Sequence, residues 1–153
     1  MVDIKTLLNE TEKFLKAATL DYPEAVAISK GPTGLKNIAD AGLNPPEVLI
    51  YVEPDKNDQE SFDGYSSFAK ALVTFYACAS GATAQDAAIE STMLAYAVEK
   101  AIWKDEAFMQ YLNTLEQEDK HPHNIGYDEK VTYDNFYSDF ATSYFSIKVS
   151  IVK

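Results

Sequence analysis

The sequence predicts an α+β fold, an antiparallel or mixed β-sheet with helices packed mainly on one face, in two layers. Three observations carry this. The C-terminal run "TSYFSIKVSIVK" alternates strictly, placing Phe145, Ile147, Val149 and Ile151 on one side and Tyr144, Ser146, Lys148 and Ser150 on the other. Two β-branched and aromatic runs, "EVLIYVE" and "FAKALVTFYACAS", are separated only by the polar, turn-rich "PDKNDQESFDGYSS", a hairpin loop that suits antiparallel neighbours. A long helical pattern then stands between the second of these runs and the last strand, as a helix layered on a sheet requires. At 153 residues the chain reads as a single domain, 1–153, able to bury a sizeable core without disulfides or metal.

Each element has a local cause. Ile4, Leu7, Leu8, Thr11, Leu15 and Ala18 recur at helical spacing behind Asp3, a suitable N-cap, so the first helix spans about 4 to 18 and ends before Tyr22-Pro23. Ala25 to Ser29 fit either a short strand or a helical turn, and Gly31, Pro32 and Gly34 stop any regular element there. "LKNIADAGLNPPE" has room for one helical turn before Pro45-Pro46. The strand from Glu47 to Glu53 lies between prolines. In the next strand, ending near Ala79, Val73, Phe75, Ala77 and Ala79 share one face, and Leu72, Thr74, Tyr76 and Cys78 the other.

Thr83-Ala84-Gln85-Asp86 approximates a capping box and starts a helix running from Ala84 to about Lys104. At about 100° per residue, Leu94, Val98, Ala101 and Ile102 join Ala84, Ala87, Ala88 and Ala95 on one stripe, whose small residues allow close approach to a sheet. Ile89, Met93, Tyr96 and Trp103 gather on the opposite side. A helix apolar on two sides needs two covers: either the aromatic region 133–145 of the same chain, or another subunit. "EAFMQYLNTLEQEDK" extends the helical pattern, and "HPHNIGYDEKVTYDNFYSDF" reads as irregular, acidic and aromatic.

Charge narrows the partners. Thirteen lysines and no arginine face 24 Asp and Glu, for a net charge of −11. Binding to nucleic acid by counterion release needs a cationic track, so no specific nucleic-acid binding is expected. No apolar run approaches the ~20 residues that span a bilayer, and the amphipathic "MVDIKTLLNETEKFLKAA" lacks a signal-peptide core. A single cysteine, Cys78, fits a reducing cytoplasm.

No residue pattern specifies a catalytic centre, and neither cofactor nor metal is expected. His121-Pro122-His123 beside Glu118 and Asp119 has ligand-type side chains but too few of them for a metal site, and reads as a solvated loop. Cys78 has no nearby base in sequence and reads as a small buried hydrophobe. "SKGPTGLK" lacks phosphate-loop spacing. Asp55/Asp58 and Glu116/Glu118/Asp119 read as solvated acids. The candidate site is therefore an interface: Ile89, Met93, Tyr96 and Trp103.

The order of these elements resembles the tail-terminator and tail-completion proteins of tailed bacteriophages, in particular the Mu-like minor tail family. The residues that carry the resemblance are "PPEVLIYVE", "KALVTFYACAS" leading through "ATAQ" into "DAAIESTMLAYAVEKAIW", and the run Ala95-Tyr96-Ala97-Val98-Glu99-Lys100-Ala101. The resemblance implies a non-catalytic virion or prophage subunit, assembled in the bacterial cytoplasm and placed at the head-proximal end of the tail. There it would form a homo-oligomeric ring, contact tail-tube or head-completion proteins, and stop tube growth. Two other readings stand beside it: a monomeric acidic inhibitor or immunity-type module recognising a basic partner through "YDEKVTYDNFYSDF", and a metal enzyme using His121 and His123.

Overall fold

The computed structural model describes residues 4–31, 45–54, 68–114, 123–127, 131–132 and 139–152. Helix α1 (Ile4–Ala17) leads to strand β1 (Ala27–Lys30), then β2 (Glu47–Pro54) and β3 (Phe68–Gly81). Helices α2 (Ala84–Lys104) and α3 (Glu106–Thr114) come next, and β4 (His123–Tyr127), β5 (Val131–Thr132) and β6 (Asp139–Val152) complete the chain. The sheet is mixed, in the order β1-β2-β3-β6-β4, with β5 also paired to β6. Among the described residues only the β1–β2 pair is parallel. The α+β class expected from the sequence is the one observed.

The two 14-residue strands β3 and β6 pair along their whole length, from Phe68↔Val152 to Gly81↔Asp139. This register sets Val73 opposite Ile147 and Phe75 opposite Phe145, and β2 adds Val52 and Ile50 to the same row. Directly opposed residues share a face, so the alternation in each strand sums to one apolar surface. The Phe75 and Phe145 rings stack 4.9 Å apart at its centre.

Helices α1, α2 and α3 all pack on that surface. Their buried residues Leu7, Leu15, Leu94, Val98, Ile102, Phe108 and Leu112 form one core with Val48, Ile50, Val73, Phe75, Phe145 and Ile147. Thr11 is buried within α1 because its hydroxyl donates back to the Leu7 carbonyl at 2.7 Å. Phe14 of α1 and Phe108 of α3 stack face to face, 4.1 Å apart at 7°, which closes the helical layer.

The opposite face of the sheet is amphipathic. Tyr76 and Tyr144 lie side by side with ring centroids 5.6 Å apart, Thr74 and Ser146 join hydroxyls at 2.8 Å, and Ser29 donates to Glu47 at 2.9 Å. Leu49, Thr74, Cys78 and Thr142 on this face are buried.

Several local expectations are corrected. The segment at Ala25–Ser29 resolves as the edge strand β1, shifted to Ala27–Lys30. The helical pattern after Lys104 is a separate helix: Asp105 takes extended backbone (φ −92°, ψ 101°) and its carboxylate accepts from the Phe108 amide at 2.9 Å, ending α2 and capping α3. The stretch read as irregular contains β4 and β5, both paired with β6, and β6 itself begins at Asp139. Asp3, residues 35–44 of the stretch with room for a helical turn, the loop residues 55–67, the acids at 116–119, His121 and the aromatic stretch 133–138 lie outside the described residues.

Candidate functional site

Helix α2 is the element on which the candidate interface stands. The Thr83 side chain accepts from the Asp86 amide at 3.1 Å, so the cap foreseen in the sequence forms. The β3–α2 turn is tight. A Cβ at Gly81 would lie 2.5 Å from the Ala87 nitrogen and 2.8 Å from the Asp86 carbonyl carbon, so only glycine lets the strand turn straight into the helix.

The inner side of α2 is buried through Ala87, Ser91, Leu94, Ala95, Ala97, Val98 and Ile102. Three hydroxyls fix it to the sheet. Ser143, the β6 partner of Ala77, approaches Ser91 at 2.9 Å and Thr92 at 3.2 Å. Ser91 and Thr92 each donate to the Ala88 carbonyl, at 3.0 and 2.9 Å. The small side chains at 77 and 143 leave the room for this close approach. Periodicity identified the alanine stripe but not Ser91, since a serine scores as polar unless its partner across the sheet is known.

Roughly 180° around the helix from Val98 lies Ile89. Ile89, Met93 and Tyr96 are 49%, 51% and 54% exposed, the exposed large hydrophobic side chains among the described residues. They form one row at i, i+4 and i+7. Of the region 133–145, one of the two alternatives for covering this side, residues 139–145 belong to β6 within the sheet and 133–138 lie outside the described residues. Trp103, placed with it by sequence, is instead half-buried and has contacts of its own. Lys100 closes the row at its C-terminal end, held by Asp21 at 3.0 Å, and this ion pair draws the Asp21 carboxyl below its ordinary value. Glu90 on one flank accepts from the Tyr22 hydroxyl at 2.8 Å. Glu99 on the other is raised above the ordinary carboxylate range by burial.

Among the described residues the other sequence candidates do not assemble into a chemical site. Cys78 is buried in β3, its thiol pushed far up by burial and by the Glu47 carboxylate. His123 opens β4, its backbone paired with Ser146. Among the described residues no group of three or more His, Cys, Asp or Glu is placed to hold a metal. A polar cleft of about 350 Å³ at the start of α2 is lined by Tyr22, Glu24, Ser80, Asp86 and Glu90; sequence reasoning missed it, because its walls come from distant segments. No helix among the described residues is long and apolar enough to cross a membrane. No family model matches the chain, and no curated protein matches it significantly.

Proposed function

We propose that this chain is a non-catalytic structural subunit that assembles with copies of itself, as a ring-forming tail terminator or tail-completion protein at the head–tail junction of a phage or prophage. The observation that carries the reading is the row Ile89, Met93 and Tyr96, each about half exposed, on the outer side of a helix whose inner side is pinned to the sheet. Large apolar side chains aligned on a rigid surface mark a protein contact, and Met and aromatic residues are the types that fill the centres of such contacts. The order of elements, helix, strand pair, long helix and closing strand, supports the phage-tail form of the reading through its resemblance to the tail-terminator proteins.

Sedimentation velocity across the micromolar range tests the assembly, and addition of purified tail-tube subunits tests the location. The expected outcome is a concentration-dependent oligomer that caps tubes and arrests their growth. Because each copy carries a net charge of −11, salt screens mutual repulsion and strengthens association. A chain that stays monomeric at all concentrations and ignores tube subunits overturns the proposal. Association weakened by salt points instead to an acidic module docking on a basic partner.

A further inference from the structure

We infer that residues 19–26, between α1 and β1, form a strap that lifts off α2 as a unit while the rest of the domain stays folded, and so joins two cavities into one cleft. The strap is hinged at two fixed points. At one end the Ala18 amide donates to the Phe14 and Leu15 carbonyls, at 3.0 and 3.2 Å, in the last turn of α1. At the other the Ala27 amide donates to the Pro46 carbonyl at 3.1 Å, where β1 meets the start of β2. Between these points, among the described residues, one backbone–backbone hydrogen bond is made, from the Tyr22 amide to the Leu20 carbonyl at 2.8 Å, and it lies inside the strap. No such bond ties the strap to α1, α2 or the sheet. Segments held without a hydrogen-bonded ladder are those that open at a fraction of the global free energy.

Side chains hold the strap closed. Asp21 meets Lys100 at 3.0 Å, and the Tyr22 hydroxyl donates to Glu90 at 2.8 Å. The ion pair is weak, because both of its side chains are exposed and water screens them. The part-buried bond from Tyr22 to the Glu90 carboxylate is the stronger of the two and acts as the latch. Leu20, Tyr22 and Val26 add part-buried apolar contact with the core. Against these few contacts stands the backbone freedom that the whole strap regains on opening.

Two cavities give the opening a consequence. One, of about 260 Å³, lies beside α1 and is lined by Leu15, Leu20, Val26 and Ile28. The other is the polar cleft of about 350 Å³ at the start of α2, lined by Tyr22, Asp86 and Glu90. Glu24 lines both. The strap is therefore the wall between them. Lifted, it leaves one continuous trough, apolar toward α1 and acidic toward α2, that neither cavity offers while the strap is closed.

Glutamyl endopeptidase, which cuts after glutamate, tests this on the native protein, with fragments identified by mass. The expected cut falls between Glu24 and Ala25, in the middle of the strap. Its rate follows the population of the open form and changes little with urea below the unfolding transition, because so short an opening exposes little surface. Tyr22→Phe keeps the ring but deletes a hydrogen bond to a charged group, and raises that rate about tenfold. Lys100→Gln deletes only an exposed ion pair, and raises it about twofold. A rate that climbs with urea at the slope of global unfolding means that the strap opens only with the domain. A rate unmoved by Tyr22→Phe means that the segment is cut as it stands, without opening. Either result overturns the strap, as does a native protein left uncut at Glu24 under conditions that cut the unfolded chain there.

Discussion

Replacing Ser143 by alanine deletes a hydroxyl that touches two others, and counting hydrogens gives the size of the effect. Ser91, Thr92 and Ser143 hold one hydroxyl hydrogen each, yet there are four close contacts among them and the Ala88 carbonyl. Ser91 and Thr92 spend theirs on Ala88, so Ser143 must donate, and it satisfies one neighbour at a time. The shorter contact, 2.9 Å to Ser91, is the preferred acceptor. A net hydrogen bond contributes about 1 kcal/mol, and no buried donor is orphaned by the change, so Ser143→Ala costs about 1 kcal/mol. Ser91→Ala loses the bond that Ser91 donates to Ala88, leaves Ser143 to donate to Thr92 at 3.2 Å instead, and gains about 0.5 kcal/mol of helix propensity, for a net cost of about 0.5 kcal/mol. The double variant loses both donated bonds and costs about 1.5 kcal/mol, so the two single changes add because Thr92 remains as an acceptor for Ser143. Ser143→Val, which forces a methyl group into the narrow helix–sheet gap, costs about 1–3 kcal/mol more than alanine. Urea unfolding followed by far-ultraviolet circular dichroism, with unchanged m-values, measures all four. A double variant no worse than Ser143→Ala alone would refute the hydrogen count, and a valine as mild as alanine the tight packing.

The same structure sets three other expectations. Gly81→Ala drives a Cβ to 2.5 Å from a backbone nitrogen, and should lower stability by about 1–3 kcal/mol in the same urea assay, beyond any gain from a stiffer unfolded chain. Cys78, buried with its thiol pushed far up, should resist alkylation at mildly alkaline pH in the folded protein and react at once in denaturant, as followed by intact mass. Glu99 binds its proton more tightly folded than unfolded, so stability falls as pH rises from the unfolded carboxylate value through the folded one. Glu99→Gln should therefore raise the melting temperature at neutral pH and leave it nearly unchanged below the ordinary carboxylate range; equal shifts at both pH values would exclude burial as the cause.

Period-two and 3.6-residue patterns are set by the chain itself, and where burial matches them the elements could be read from sequence. The faces of β3, the run of β6 from Phe145 to Val149, and the span of α2 from its Thr83 cap to Lys104 all came from such patterns. Features that depend on a distant partner did not. β1 is four residues long and is stabilised by parallel pairing with β2, a contact that leaves no periodic trace. β4 contains Asn124 and Gly126, poor strand formers, and owes its state to the ladder it makes with β6. The break at Asp105 was legible in principle as an aspartate three residues ahead of Phe108, but the unbroken apolar spacing across it masked the cap. Of the four candidate interface residues, Ile89, Met93 and Tyr96 are exposed on the outer side of α2, whereas Trp103, fourteen residues after Ile89, stays on the same side by angle but is half-buried.

The row on α2 and the charge of the chain constrain each other. At a net charge of −11, every approach of two copies meets repulsion, which acts over a Debye length of about 10 Å at 0.1 M salt. A contact between copies therefore has to draw on apolar area where acids are sparse. On α2 the acids stand at the flanks, Glu90 and Glu99 each roughly 80–100° from Ile89, and the residue that continues the row is the paired lysine Lys100. The outer row thus combines the exposed large apolar side chains with a local gap in the negative field. Its position is set from beneath by Gly81 and the Ser91–Ser143 contact. Under the proposed self-assembly, association and domain stability are separable properties: changes above the helix axis should move only the first, and changes below it chiefly the second.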